Sequence, residues 1–256
     1  MDLLKISSPL DFKNKAITLF NNQYNNNPTY NKYCKLLKIQ PNQIKKLSHI
    51  PYLPIQFFKT HKITSNNKSI SHLFKSSGTS GSRSTNYVSD IKLYEHSYRK
   101  CFEFFYGPIK NFVFLGLLPS YLEQKNSSLV YMVNDFIKQS EYQESEFYLK
   151  NYKKLQNTLI KLKKENKKTI LFGVSYALID FAEKFPTDIN GFTIIETGGM
   201  KGRRKEITRE ELHSKLSLGF NVGNIHSEYG MTELFSQAYS FRNGIFKNPP
   251  WMKVLI

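Results

Sequence analysis

"TILFGVSYALIDFAEKF", residues 169–185, joins two patterns in a single run. Its first part, "TILFGVS" (169–175), is short and almost continuously apolar, as a strand buried on both faces of a parallel sheet requires. From Ser175 onward the apolar residues recur at helical spacing instead. A strand that passes straight into a helix is the repeating element of an α/β architecture. The alternation extends in both directions. "FVFLGLLP" (112–119) and "GFTIIETGG" (191–199) read as strands. "SLVYMVNDFIKQ" (128–139), "EFYLKNYKKLQNTLIKLKKE" (146–165) and "TREELHSKLSLGF" (208–220) read as helices, the last with Thr208 and Glu211 in capping-box spacing. "NIHSEYG" (224–230) and "LFSQAYSF" (234–241) complete the series as strands. The predicted fold class is α/β, with parallel or mixed sheets and flanking helices.

Residues 1–70 read differently, as a helical segment packed on a core formed by residues 71–256. "PLDFKNKAITLFNNQY" (9–24) sets Leu10, Ala16, Ile17 and Phe20 near helical spacing, with Asp11 as its expected cap. "YNKYCKLLKI" (30–39) does the same with Tyr30, Cys34 and Leu37. "HIPYLPIQFFKTHKI" (49–63) carries two prolines and an aromatic run, which predicts an irregular docked segment rather than a helix. "NPPWMKVLI" (248–256) reads as a strand cut short without a polar turn, so the chain is expected to be truncated at its C-terminus.

The 256 residues carry a formal charge of +17, which by itself suggests a polyanionic partner. The lysines are dispersed among asparagines ("NNQYNNNPTYNKY", "TSNNKS"), and the densest run, Lys161–Lys168, falls at an expected helix end. The charge therefore reads as compositional bias, and nucleic acid is not the expected partner. Cys34 and Cys101 lie far apart without CxxC spacing, so neither a disulfide scaffold nor a zinc site is indicated. The N-terminus has no signal-peptide pattern, and no apolar run approaches the ~18 residues of a membrane span. A soluble, cytoplasmic protein is expected.

Three loops carry candidate chemistry. "FKSSGTSGSRST" (74–85) threads hydroxyls through two glycines, so that backbone N–H groups and side-chain donors can converge on one anion. It is neither a Walker A loop, since Ser82 and Arg83 follow Gly81, nor a G-x-G-x-x-G fingerprint. Taken alone it also reads as a polar surface loop. "ETGGMKGRRKE" (196–206) places paired glycines directly after a strand, where open α/β sheets bind ligands, with Lys201, Arg203 and Arg204 available for phosphate or carboxylate. "HSEYGMTEL" (226–234) offers a tyrosine face beside a glycine, followed by the hydroxyl of Thr232 and the carboxylate of Glu233.

"SSGTSG" resembles the phosphate-binding signature of adenylate-forming enzymes, and "EYGMTE" resembles their Tyr-Gly-x-Thr-Glu signature. The pair "ETGGMKGRRKEITREELH" and "IHSEYGMTELFSQAYS" is similar to the acyl-protein synthetase (LuxE-type) branch, the fatty-acid-activating component of bacterial fatty-acid reductase systems. The likeness covers residues 70–256, more weakly the part before. It implies ATP and Mg²⁺ as cofactors, a fatty acid as substrate, and a fatty-acyl reductase and an acyl transferase as partner proteins. It also implies that Ser77, Gly78, Thr79, Ser80 and Gly81 grip the β- and γ-phosphates and that Gly198 and Gly199 line the adenine and acyl-carboxylate pocket. Tyr229, next to Gly230, would stack on adenine, Thr232 would bond the α-phosphate, and Glu233 would hold Mg²⁺. Thr79, Thr232 and Glu233 are the catalytic residues carried over in this way, and because an anion must attack a polyanion, Lys201, Arg203 and Arg83 are the candidate cations beside them. Ser80, Arg83 and Ser84 depart from the usual signature. The ribose-binding aspartate, the hinge, the small C-terminal domain and the acyl-accepting cysteine would lie beyond Ile256, which leaves Cys34 and Cys101 structural.

A rival reading rests on Gly173-Val-Ser175-Tyr-Ala177, close to the G-x-S-x-G nucleophile elbow between a strand and a helix. His213 or His226 as base and Glu196 or Asp180 as its partner would then make an acyl hydrolase. Ala177 in place of glycine and the lack of an HGGG-type loop weigh against it, and Ser175 reads equally as the cap of the helix that follows. A non-catalytic basic binding module is the third reading.

Overall fold

Ser8 starts the first helix: its Oγ accepts the Asp11 N–H at 3.1 Å, and Pro9 occupies the first turn, where a missing N–H costs nothing. Asp11, expected as the cap, instead sits one turn in and accepts the Ser7 N–H at 2.9 Å. The computed structural model describes residues 2–65, 69–77, 82–119, 124–149, 151–200, 202 and 204–255. These fall into two compact units, one of Met1–Ser97, Met231–Phe235 and Asn248–Ile256, the other of Tyr98–Gly230 and Ser236–Lys247.

In the first unit, α1 (Pro9–Asn26) and α2 (Pro28–Leu36) meet through Phe20, Tyr30 and Cys34, which with Ile44 form a small core. Asn27 ends α1 and caps α2, accepting the Tyr30 N–H at 3.1 Å. Leu10 and Leu37, expected on the apolar faces, are exposed. Within the segment expected to be irregular, α3 (Phe57–Thr60) forms a single helical turn. β1 (His72–Lys75) and β2 (Thr85–Val88) then make an antiparallel hairpin that the sequence pattern did not indicate, paired from His72↔Val88 to Lys75↔Thr85. Residues 248–255 form no strand, contrary to expectation: Pro249 and Pro250 lack the N–H groups a ladder needs, and the Met252 N–H closes a turn on the Pro249 carbonyl at 3.0 Å.

The second unit takes α4 (Ile91–Tyr106) from Tyr98 on, and then β3 (Val113–Leu117), α5 (Ser128–Gln139), β4 (Glu146–Phe147), α6 (Tyr152–Lys164), β5 (Thr169–Val174), α7 (Ser175–Lys184), β6 (Thr193–Thr197), α8 (Arg209–Phe220), β7 (His226–Tyr229), β8 (Ala238–Ser240) and β9 (Phe246–Lys247). The strands form one mixed sheet in the order β4-β3-β5-β6-β7-β8-β9. β4 to β7 run parallel, and β8 and β9 are added antiparallel. β3 and β5 are buried throughout, which is why they read as unbroken apolar runs. Phe102, Phe114 and Phe136 pack against one face, with ring centroids 4.9–5.4 Å apart. Helices α7 and α8 approach closely because Gly219 has no side chain; a Cβ there would lie 2.8 Å from Ala182 Cβ.

The helix expected over 146–165 begins only at Tyr152. Asn151 caps it by accepting the Lys154 N–H at 2.9 Å, and Glu146–Phe147 pair with Leu115–Gly116 as the short edge strand β4. The basic run behaves as a solvated helix end: Lys161 pairs with Glu144 at 2.7 Å, Lys163 with Asp188 at 2.6 Å, and Lys167 lies over the Tyr142 ring. Among the described residues no helix is long and apolar enough to cross a membrane.

Candidate functional site

Because β5, β6 and β7 run parallel, their carboxyl ends share one edge of the sheet, where ligands of open α/β folds bind. Three segments leave that edge: Ser175 into α7, Gly198–Gly199 after β6, and Tyr229–Gly230 at the end of β7. Gly198, Gly199 and Gly202 have φ of 74°, 61° and 68°, a left-handed course that a side chain would strain. A Cβ on Gly199 would meet nothing within 4 Å, so the space above this turn is open. Tyr229 is 44% exposed, and its ring and that of Phe246 meet edge to face with centroids 6.0 Å apart.

Beneath these turns lies a buried polar network. The Ser175 hydroxyl contacts Glu196 Oε2 at 2.9 Å and the Thr197 carbonyl at 3.2 Å. His213 Nε2, from α8, lies 3.5 Å from Glu196 Oε1 and 3.4 Å from Ser227 Oγ, and Arg209 Nε lies 3.8 Å from Glu196 Oε1. Burial opposes the charge of Glu196, but the hydrogen bonds from His213, Ser227 and Ser175 outweigh it and hold the carboxyl below its ordinary range. Glu228 behaves in the opposite way. Its burial raises it to about 7 despite a 2.6 Å hydrogen bond from the Thr197 hydroxyl, and the charge of Glu196 adds to the rise. Two buried acids on neighbouring strands are thus pushed apart, Glu196 toward the carboxylate and Glu228 toward the neutral acid.

Of the residues singled out in the sequence, Gly198, Gly199, Tyr229 and Gly230 lie together at the ends of β6 and β7. Ser77, Thr232 and Glu233 belong to the first unit. There Ser77 is exposed just past β1, and the hairpin is closed by the Ser76 N–H on the Ser84 carbonyl and the Ser84 N–H on Ser76 Oγ, both at 3.0 Å. The Thr232 carbonyl accepts from Asn86 Nδ2 at 2.9 Å, and the Phe235 ring packs on Tyr94, which ties the 231–235 segment to β2 and the start of α4. Gly78, Thr79, Ser80, Gly81, Lys201 and Arg203 lie outside the described residues. Arg83 is exposed.

Two expectations change. Arg204 serves the fold: it bonds Asp180 at 2.8 Å through Nε and grips Glu183 at 3.1 and 2.6 Å, pinning the loop after β6 to α7. Ser175 is fully buried with its hydroxyl engaged by Glu196 and Thr197, and neither His213 nor His226 is its partner, so it fits neither the hydrolase nucleophile nor the cap; Val174 holds the cap position. Glu228 and Thr197 escaped notice because both sit inside strand patterns. The available signal was the acid Glu228 in the middle of a short strand, where it is buried beside Ser227.

The open turn at Gly199 and the exposed ring of Tyr229 fit a flat, hydrogen-bonding ligand such as a nucleotide base. Among the described residues no group of three His, Cys, Asp or Glu side chains could enclose a metal.

The sequence matches the family described as "Acyl-protein synthetase, LuxE" over residues 7–253. No curated protein matches it. Among solved structures, 2-hydroxyisobutyryl-CoA ligase in the postadenylation state, in complex with R3-HIB-AMP, aligns with a TM-score of 0.55 at 10% identity over 87% of this chain and 48% of its own. The same ligase in the thioesterification state, with 2-HIB-AMP and CoA, aligns with a TM-score of 0.53 at 10% identity over 91% of this chain and 54% of its own. The mixed α/β fold is therefore that of the adenylate-forming ligases, and the chain spans about half the length of these structures.

Proposed function

The chain belongs to the acyl-protein synthetase (LuxE) family, and from that premise we propose that it takes part in ATP-dependent activation of a fatty acid and transfer of the acyl group to a protein cysteine. In the first half-reaction a carboxylate oxygen attacks the α-phosphorus, the bond between the α-phosphorus and the bridging oxygen breaks, and pyrophosphate leaves. In the second, a thiolate attacks the acyl carbonyl of the adenylate and AMP leaves. The first step brings an anion against a polyanion, so cations and amide donors carry most of its catalysis.

The observation that carries this reading is the open, left-handed Gly198–Gly199 turn beside the exposed Tyr229 ring, at the ends of adjacent parallel strands in a chain of this family. In this reading Gly198 and Gly199 line the adenine and carboxylate pocket, Tyr229 stacks on the base, and Thr232 bonds the α-phosphate. Ser77 to Gly81 hold the leaving phosphates, while Lys201, Arg203 and Arg83 offset developing charge. Mg²⁺, held by Glu233, would supply charge neutralisation at the phosphates. Neither cysteine of this chain suits the acceptor role. Both are buried, burial raises both thiols, and Cys101 is pushed up to about 12, which starves it of thiolate. Fatty-acid-dependent exchange of labelled pyrophosphate into ATP tests the proposal. Exchange is expected with at least one acyl chain length, and its absence across a panel from short to long chains refutes it.

A further inference from the structure

Glu228 is a buried acid of the second unit that the proposed chemistry leaves unused. Its side chain lies between two turns assigned to the nucleotide. On one side it accepts the Thr197 hydroxyl at 2.6 Å, at the root of the glycine turn after β6. On the other it fills the space under Gly230; a Cβ built there would stand 2.4 Å from Glu228 Oε1. β6 and β7 are otherwise joined only over Ile195↔His226 and Glu196↔Ser227, so the ladder stops short of both turns. Beyond that point, the described contact that bridges the two strands is the Thr197–Glu228 hydrogen bond.

We propose that Glu228 is a positioning residue, whose carboxyl group fixes the Gly198–Gly199 turn and the Tyr229–Gly230 turn relative to one another so that a nucleotide meets both. This rests on the reading of these turns as nucleotide loops. The titratable groups facing Glu228 are Glu196 from β6 and Cys101 and Tyr106 from α4, all of which are anionic when ionised. None of these three groups compensates a carboxylate, and together with burial they favour the neutral form of Glu228, whose oxygen can still accept from Thr197. Gly230 follows from the same geometry, since any side chain at that position would evict the carboxyl group.

The test compares wild type, Glu228→Gln, Glu228→Ala and Gly230→Ala in the full 256-residue chain, by amide hydrogen exchange and by equilibrium titration with ATP. The alanine variant at 228 is expected to raise exchange at least tenfold in residues 197–200 and 229–231, with β3 and β5 unchanged, and to weaken ATP binding at least tenfold. Glu228→Gln, which keeps the acceptor, is expected to stay within twofold of wild type in both at acidic pH. Gly230→Ala should loosen the same two turns, and it decides the matter if Glu228→Ala does not fold. Acceleration spread evenly over the whole sheet, or loosening of one turn without the other, overturns the positioning role. Failure of wild type to bind ATP would sink the proposed function instead, while the exchange data still decide whether Glu228 holds the turns.

Discussion

Replacing Glu228 by glutamine keeps an acceptor for the Thr197 hydroxyl and removes the titrating proton. The wild-type carboxyl has an ordinary value of 4.5 and is raised by burial to about 7 in the folded chain. The sign follows from linkage. Below 4.5 the group is neutral in both folded and unfolded chains and costs nothing. Between 4.5 and about 7 the unfolded chain releases the proton while the folded chain retains it, so stability falls as pH rises. Each pH unit of that window costs about 1.4 kcal/mol, so the whole is worth ~3 kcal/mol, constant at higher pH. The glutamine variant is free of this loss. Urea unfolding of both proteins should show near-equal stability at about pH 4.5 and an advantage for Glu228→Gln of ~3 kcal/mol at about pH 8. Titrations of groups that do not interact with Glu228 are common to both proteins and cancel in the difference, whereas Glu196, coupled to it, contributes to the measured gap. A difference that stays flat across this range, or that favours wild type at high pH, refutes the assignment of a buried neutral acid.

Ser175→Ala removes a donor from the buried Glu196 carboxylate and should destabilise the fold by about 1–3 kcal/mol in urea unfolding, without abolishing any pyrophosphate exchange. Arg204→Ala breaks half-exposed pairs with Asp180 and Glu183, so a loss of only ~1 kcal/mol, shrinking as salt is added, is expected in the same assay. Gly219→Val forces methyl groups into Ala182 and should cost about 1–3 kcal/mol through overpacking, read as a lower unfolding midpoint. Tyr229→Ala removes an exposed ring, so stability should hold while ATP affinity drops roughly tenfold, as the loss of one stacking platform predicts.

The legible part of this protein is the part that local physics specifies. Unbroken apolar runs at 113–117 and 169–174 announced strands buried on both faces, and the helical spacing after Ser175, 128 and 208 announced the helices that cover them. The glycines of "ETGG" and the tyrosine of "EYGMTE" were visible because a left-handed turn and an exposed ring each need a particular residue type. Edge elements were less legible: β1, β2 and β4 are short, and only pairing with another strand, for β4 one far away in the chain, makes them strands. The terminal stretch read as a strand for the opposite reason, since its apolar residues suggest a ladder, whereas Pro249 and Pro250 lack N–H groups and the Met252 N–H closes a turn instead.

Of the polar network the sequence grouped only Ser175, His213 and Glu196, and as a hydrolase triad rather than as two partners of one buried carboxylate. Ser175, Glu196, Thr197, His213, Ser227 and Glu228 are scattered over four elements, and nothing in their spacing says that two acids will share one buried sheet edge. The sequence alone determined which residues could serve as strands, helices and glycine turns, because those preferences act between near neighbours. Only the tertiary structure decided that Ser175 would be a buried donor rather than a nucleophile, that Arg204 would brace a loop, and that Glu228 would bridge two turns. Desolvation and hydrogen bonding depend on what folding brings together, and that is set by contacts far apart in the chain.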